Sequence, residues 1–333
     1  MDVNLIHKES VLAQLRNGKY INFSKLPPDL REDRDIILAV LSLNGIELYE
    51  VSSELLADKE VVLAAVSNLG SALNLASPEL RANKEVVLAA VSNNGSALYY
   101  ASPQLKDDKD VVLTAVSNDG GALKYASPLL QDNIDVVINS VTSKNLGFDY
   151  HPLKYASDRL RNDNTVVWKA VSKSGKALKW ATNRFRKSQN YVFNAVSNYG
   201  RALEFASRDL QNDKDVVKTA IHNDGYALRY ATAQLKDDKE LVLKAVSNNK
   251  SAFQYASDRL RADREVVLAA AKAPEIPGGM DDVLSYTPPN LRADKEIVLA
   301  AVSIDGRELF YASPELKVDK EVVLAAVSND GYA

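Results

Sequence analysis

Between Asp58 and Asp108 one text is written twice. Asp58-Lys59-Glu60-Val61-Val62-Leu63-Ala64-Ala65-Val66-Ser67-Asn68 returns 25 residues later as Asn83-Lys84-Glu85-Val86-Val87-Leu88-Ala89-Ala90-Val91-Ser92-Asn93. So short a period constrains the fold, because one such unit cannot bury a core alone and must stack on its neighbours. Openers of the same kind fall at Asp33, Asn133, Asp163, Ser188, Asp213, Asp238, Asp263, Asp294 and Asp319. The interval widens to 30 between Asn133 and Asp163 and to 31 between Asp263 and Asp294.

The start of each unit is apolar and rich in valine, so helix and strand compete for it. The repeats decide. With the opener as place zero, place four is always apolar, as in Val62, Val87, Val112, Val192, Val217 and Val323. Places seven and eight are small or apolar, whereas place six accepts Thr114, Asn139, Lys169, Asn194 and Lys244. Four, seven and eight share a helical face; a strand would put six in the core beside four and eight. The unit opens with a helix.

Backbone chemistry supplies the rest. Asp58 or Asp108 can cap the free N–H groups of the first turn, and Glu60 or Asp110 suits the positive end of the helix dipole. Gly70, Gly95, Gly120, Gly175, Gly200, Gly225, Gly306 and Gly331 fall at place twelve, where a left-handed glycine would turn the chain. A shorter second helix is expected through Ala-Leu-x-Tyr-Ala. Ser77-Pro78-Glu79-Leu80 reads as a one-turn helical start with Ser as cap and Pro first.

The expected fold is therefore all-α: an α-solenoid, a superhelical rod of short helical hairpins repeating every 25 residues. Residues 1–32 read as an N-terminal cap with a degenerate repeat, since Val11, Leu12 and Leu15 hold core places but Arg16 does not. Residues 33–333 read as the repeat array, with insertions near 144–152 and 272–282. The last repeat is incomplete: Asp319 opens a unit whose second helix barely begins at Gly331-Tyr332-Ala333. A solenoid end without a polar cap invites association. The sequence is thus expected to be part of a longer protein, with the regulatory arm of a larger enzyme as one alternative, or to associate end to end.

The Asp-Lys-Glu-Val-Val-Leu-Ala-Ala-Val-Ser-Asn-x-Gly-x-Ala-Leu-x-Tyr-Ala-Ser-Pro-Glu-Leu core, read as a double unit, resembles a domain-of-unknown-function repeat family of bacteria, including intracellular ones, and some protists. The likeness runs from about Leu26 to Ala333, with departures at Ser188, Lys250 and the two insertions. It implies no catalytic residue. Such repeats occur in candidate secreted effectors, which implies a host-facing binding module.

Composition adds little to this. The chain of 333 residues has net charge −3, no cysteine, and no run of eighteen apolar residues. Disulfides and thiolate metal sites are excluded. The reading is a cytoplasmic protein, or one secreted into a host cell without a cleavable signal peptide.

Chemistry is sparse. His7, His151 and His222 are isolated, and no metalloprotease, nucleophile-elbow or phosphate-loop motif occurs. Asp107-Asp108-Asp110 and Asp237-Asp238-Glu240 lack the ligand spacing of a calcium loop and read as helix caps. Catalytic residues: none; cofactors: none; metal: none.

Two features point to binding. One is an aromatic column at one place in the second helix, place seventeen where no insertion intervenes: Tyr100, Tyr125, Tyr155, Trp180, Phe205, Tyr230, Tyr255, Tyr286 and Tyr311. It reads either as a core ladder with its hydroxyls at the rim or as a groove. The other is charge. From Lys144 to Lys187 eleven Lys and Arg stand against three Asp, a balance of plus eight, which leaves minus eleven for the rest. Both tryptophans lie there, and Asn183-Arg184-Phe185-Arg186-Lys187-Ser188 replaces the usual capping text. The expected partner-binding set is Trp168, Lys169, Lys173, Lys176, Lys179, Trp180, Arg184, Arg186 and Lys187. A non-catalytic protein-binding scaffold for an acidic partner leads; phosphoinositide or nucleic-acid binding through the same surface is the alternative.

Overall fold

The computed structural model describes residues 3–19, 21–146, 151–274 and 282–329. They form two compact units, Met1–Ala170 and Val171–Ala333. Each is an all-α solenoid, and among the described residues there is no strand. Both expected insertions fall partly outside the described residues, at 147–150 and 275–281, as does the last second helix, at 330–333.

The Asn83 repeat shows how each turn of the solenoid is made. Its first helix is Lys84–Asn93, capped by the Asn83 side chain, which accepts hydrogen bonds from the N–H groups of Glu85 and Val86. Such a cap contributes about 1 kcal/mol. The helix buries Val86, Val87, Ala90 and Val91 completely, so places three, four, seven and eight face the neighbours as the pattern requires. Place six lies at the surface, half-buried at Ala89 and exposed at Asn139, Lys169 and Lys244. The second helix, Gly95–Tyr100, is a six-residue 3-10 helix rather than an α-helix. One turn follows at Pro103–Lys106, where Ser102 caps the Leu105 N–H and Pro occupies the first position.

Glycine at place twelve has a different cause from the one expected. Among the described residues none of these glycines has a positive φ; Gly18 does, at 75°. The chain turns instead at an extended residue such as Asn94. A Cβ on Gly95 would lie 2.3 Å from the Ala115 carbonyl oxygen of the next repeat, and Gly70 and Gly175 meet Ala90 and Ala195 at the same distance. Glycine is required because the next first helix passes too close for any side chain.

An asparagine at place ten locks that approach. Asn93 accepts from the Gly70 N–H at 2.8 Å and donates to the carbonyls of Ser67 and Asn68 at 3.0 and 3.1 Å. Asn198, Asn223 and Asn248 do the same for Gly175, Gly200 and Gly225. One side chain thus satisfies a helix end and a turn N–H that would otherwise stay unpaired.

Lys250 stands where glycine should. It is buried, and its ammonium lies 3.3 Å from the carboxylate of Glu308, which is fully buried at a place usually held by alanine. Glu308 also accepts from the backbone N–H groups of Val283 and Leu284 at 2.7 and 2.8 Å. Burial pushes its carboxyl above the ordinary range. The lysine, the longer connection and the glutamate are one joint adjustment of the repeat.

Candidate partner-binding surface

In the second unit the 3-10 helices Gly175–Trp180, Gly200–Phe205, Gly225–Tyr230 and Lys250–Tyr255 pack side by side. Their place-seventeen rings, Trp180, Phe205, Tyr230 and Tyr255, are each half-buried. The column is therefore partly core and partly surface. Its exposed edges are covered by cations. Lys179 lies 5.1 Å from the Trp180 ring and 6.0 Å from that of Phe205, Lys176 lies 5.4 Å from Tyr199, and the Arg201 guanidinium lies 4.4 Å from Tyr226. Arg229 sits within 5.7–5.9 Å of Tyr226, Tyr230 and Tyr255. At a wet surface each such contact contributes about 0.5–1 kcal/mol, enough to hold a flexible cation in place.

Hydrogen bonds tie the far end together. Tyr226 accepts from Arg229 at 2.7 Å and from the Tyr255 hydroxyl at 2.9 Å. Those bonds, the one from Tyr255 first, hold the Tyr226 phenol below its ordinary value, while burial pushes Tyr255 up to about 12. Arg201 is further fixed by Asp224 at 2.6 Å. The result is a row of cations held close to aromatic rings, suited to carboxylates and apolar contacts together.

The nine expected binding residues are not one cluster. Trp168 and Lys169 belong to the first unit and are both exposed on the helix Asn164–Lys173. In the second unit, Lys176, Lys179 and Trp180 join the aromatic row. Lys173 is exposed at the end of its helix, and Lys187 is exposed at the end of the one-turn helix Asn183–Arg186. Arg184 is exposed with its guanidinium 4.5 Å from the Phe185 ring.

Arg186 is held differently from the other cations of the expected set. It is half-buried and donates to the carbonyls of Leu178 and Lys179, closing the end of the preceding 3-10 helix. Gln211 does the same for Leu203. Arg186 is structural, and its charge is committed inside the repeat.

Tyr199, Arg201, Tyr226 and Arg229 lie beyond the basic window of the sequence. Their signal was positional: cations recur at places thirteen and sixteen, as Lys176 and Arg201 and as Lys179 and Arg229.

Among the described residues no group of three or more His, Asp or Glu could hold a metal ion, and no helix is long and apolar enough to cross a membrane. The relaxed capping of the drifted stretch is real: Thr182 and Ser188 make no side-chain cap bond.

Fold and surface together define a tandem helical-repeat protein with a cationic, aromatic face. The chain belongs to the family described as Domain of unknown function (DUF4116), which matches residues 58–106, 108–150, 144–186, 189–236, 238–292, 279–317 and 294–333. No curated protein and no solved structure matches the chain.

Proposed function

We propose that this chain is a non-catalytic protein-binding scaffold and that an acidic protein surface docks on the aromatic row of the second unit. The observation that carries this is the stacking of Lys176, Lys179, Arg201 and Arg229 on the rings of Tyr199, Trp180, Phe205, Tyr226, Tyr230 and Tyr255. Aromatic residues and arginine are the side chains that carry binding energy at protein interfaces, and here they are pre-ordered, so less conformational entropy is lost on docking. The likeness to repeats of candidate effectors makes host proteins the first class of partner to try.

The test replaces Lys176, Lys179, Arg184 and Arg229 by Glu and leaves Arg186 intact. Retention on immobilised polyglutamate is expected to fall about tenfold or more with helical content unchanged. Retention equal to the unsubstituted chain overturns the assignment. Stronger binding to duplex DNA or phosphoinositide vesicles than to polyglutamate, lost in the same variant, moves the function to the alternative class.

A further inference from the structure

The first-helix side of the second unit carries a cleft that the aromatic row does not use. It spans three consecutive helices, Gln189–Asn198, Lys214–Asn223 and Lys239–Asn248. Its volume is about 530 Å³, and its lining includes Asn190, Phe193, Lys218, Thr219, His222 and Lys244. Ligand sites fall in the range of roughly 300–1,000 Å³.

The repeat supplies its own reference for this spot. At places five, six and nine the Asp58 and Asn83 repeats hold Leu63, Ala64 and Ser67, and Leu88, Ala89 and Ser92. At the cleft the same places hold Phe193 from one repeat, Lys218, Thr219 and His222 from the next, and Lys244 from the third. Each exchange puts a larger or more polar group at the surface, while Val192, Val216, Val217 and Ala220 beneath remain fully buried. The core therefore does not demand these exchanges. Phe193 is 39% exposed, and an aromatic ring left in water among cations is the arrangement of a binding anchor.

The geometry points to a peptide site: an extended acidic segment with an apolar residue on Phe193 and its carboxylates against Lys218 and Lys244. Lys218 is held only loosely by Glu240, at 3.7 Å, and Lys244 is exposed. Asp215 also lines the cleft and supplies an acceptor for a peptide N–H, as the Asn190 amide supplies both donor and acceptor. The occupant is extended because place five lines up along the stack as Phe193, Lys218 and the half-buried Leu243 and Leu268, so that a cation stands between the first two apolar seats. Packed helices lie about 8–10 Å apart, and an extended chain advances about 3.3 Å per residue. Successive repeats thus fall about three residues apart, and the Phe193 and Leu243 seats, two repeats apart, about six, which predicts apolar residues near i and i+6 with Asp or Glu between them to meet Lys218.

The probe is a random-peptide phage library panned on the full chain, with enriched peptides then titrated by fluorescence anisotropy. Enrichment of the apolar, acidic spacing is expected. Affinity should fall about tenfold or more in Lys218→Glu/Lys244→Glu and several-fold in Phe193→Ala, and should hold in Lys176→Glu/Lys179→Glu. Both cleft variants alter surface-exposed side chains, and circular dichroism checks that they fold. Basic or unpatterned peptides, no enrichment, or the same affinity in the cleft variants overturns the proposal. So does preferential capture of an oligonucleotide through Lys218 and Lys244.

Discussion

The repeats opened by Asn83 and Ser188 share a core and differ at the surface. Both bury a valine at place four, Val87 and Val192, completely. Both carry the locking asparagine, Asn93 and Asn198, on the glycine of the repeat before. Asn83, however, caps its helix, and Lys84 bridges to Asp108 at 2.8 Å and Asp110 at 3.0 Å in the next repeat. Ser188 makes no side-chain cap bond, and Gln189 reaches Asp213 through a neutral amide at 3.1 Å. Architecture therefore resides in the valine face and the glycine–asparagine joint. The caps and the ion-pair row are an added layer, and where they lapse the core beneath is unchanged.

The sharpest test of that division sets Val217 against its neighbour. Val217 is fully buried and Lys218 is exposed one place on. Val217→Asp puts a carboxylate into a dry interface and should cost roughly 4 kcal/mol or more, whereas Lys218→Asp should leave the melting temperature close to that of the unsubstituted chain. Equal losses would show that place five is as much a part of the core as place four.

The joint comes next in size. Gly95→Ala drives a methyl group onto the Ala115 carbonyl oxygen and should cost about 1–3 kcal/mol. Gly121→Ala is the control, since its Cβ meets the side chain of Asp119 at 3.1 Å rather than a neighbouring backbone. Denaturant titration of the pair should separate them clearly, and similar values would remove steric approach as the reason for glycine.

The valine face, the helix starts and the repeat period were legible in the sequence because each recurs at a fixed place and each has one physical cause. Glycine at place twelve was legible as a requirement and misread as to cause, since tight approach and a left-handed turn both demand it. Arg186 looked like free charge because its acceptors are backbone carbonyls, which leave no mark in the text. Lys250 stood out as a departure, but its partner Glu308 lies far along the chain, so spacing could not pair them. The aromatic column was visible residue by residue. What was not visible was which cations lie on it, because Arg201 and Arg229 fall outside the stretch where charge accumulates.

The smallest effect belongs to the ion-pair row. Lys84 holds Asp108 below the ordinary carboxylate range, with backbone N–H bonds helping, and Asp108 and Asp110 raise Lys84 in turn. A carboxylate depressed in the folded state stabilises above its ordinary range, and that contribution is lost as pH falls through the folded value. Lys84→Gln should therefore lose a small amount of stability at neutrality, small because the pair is solvent-screened, and none at pH below the folded value, which flattens the acid limb of the profile. The reciprocal change, Gln189→Lys, places a cation beside Asp213 and Asp215, which already stand where Asp108 and Asp110 stand one row away. It should raise the melting temperature slightly in low salt and not in high salt. Gln189 also lines the cleft. If the cleft takes an acidic segment, the same substitution should strengthen peptide capture as well as the fold, since it adds a cation to the lining and offsets Asp215. A variant that gains stability and leaves peptide affinity unchanged would show that the missing ion pair and the cleft are unrelated.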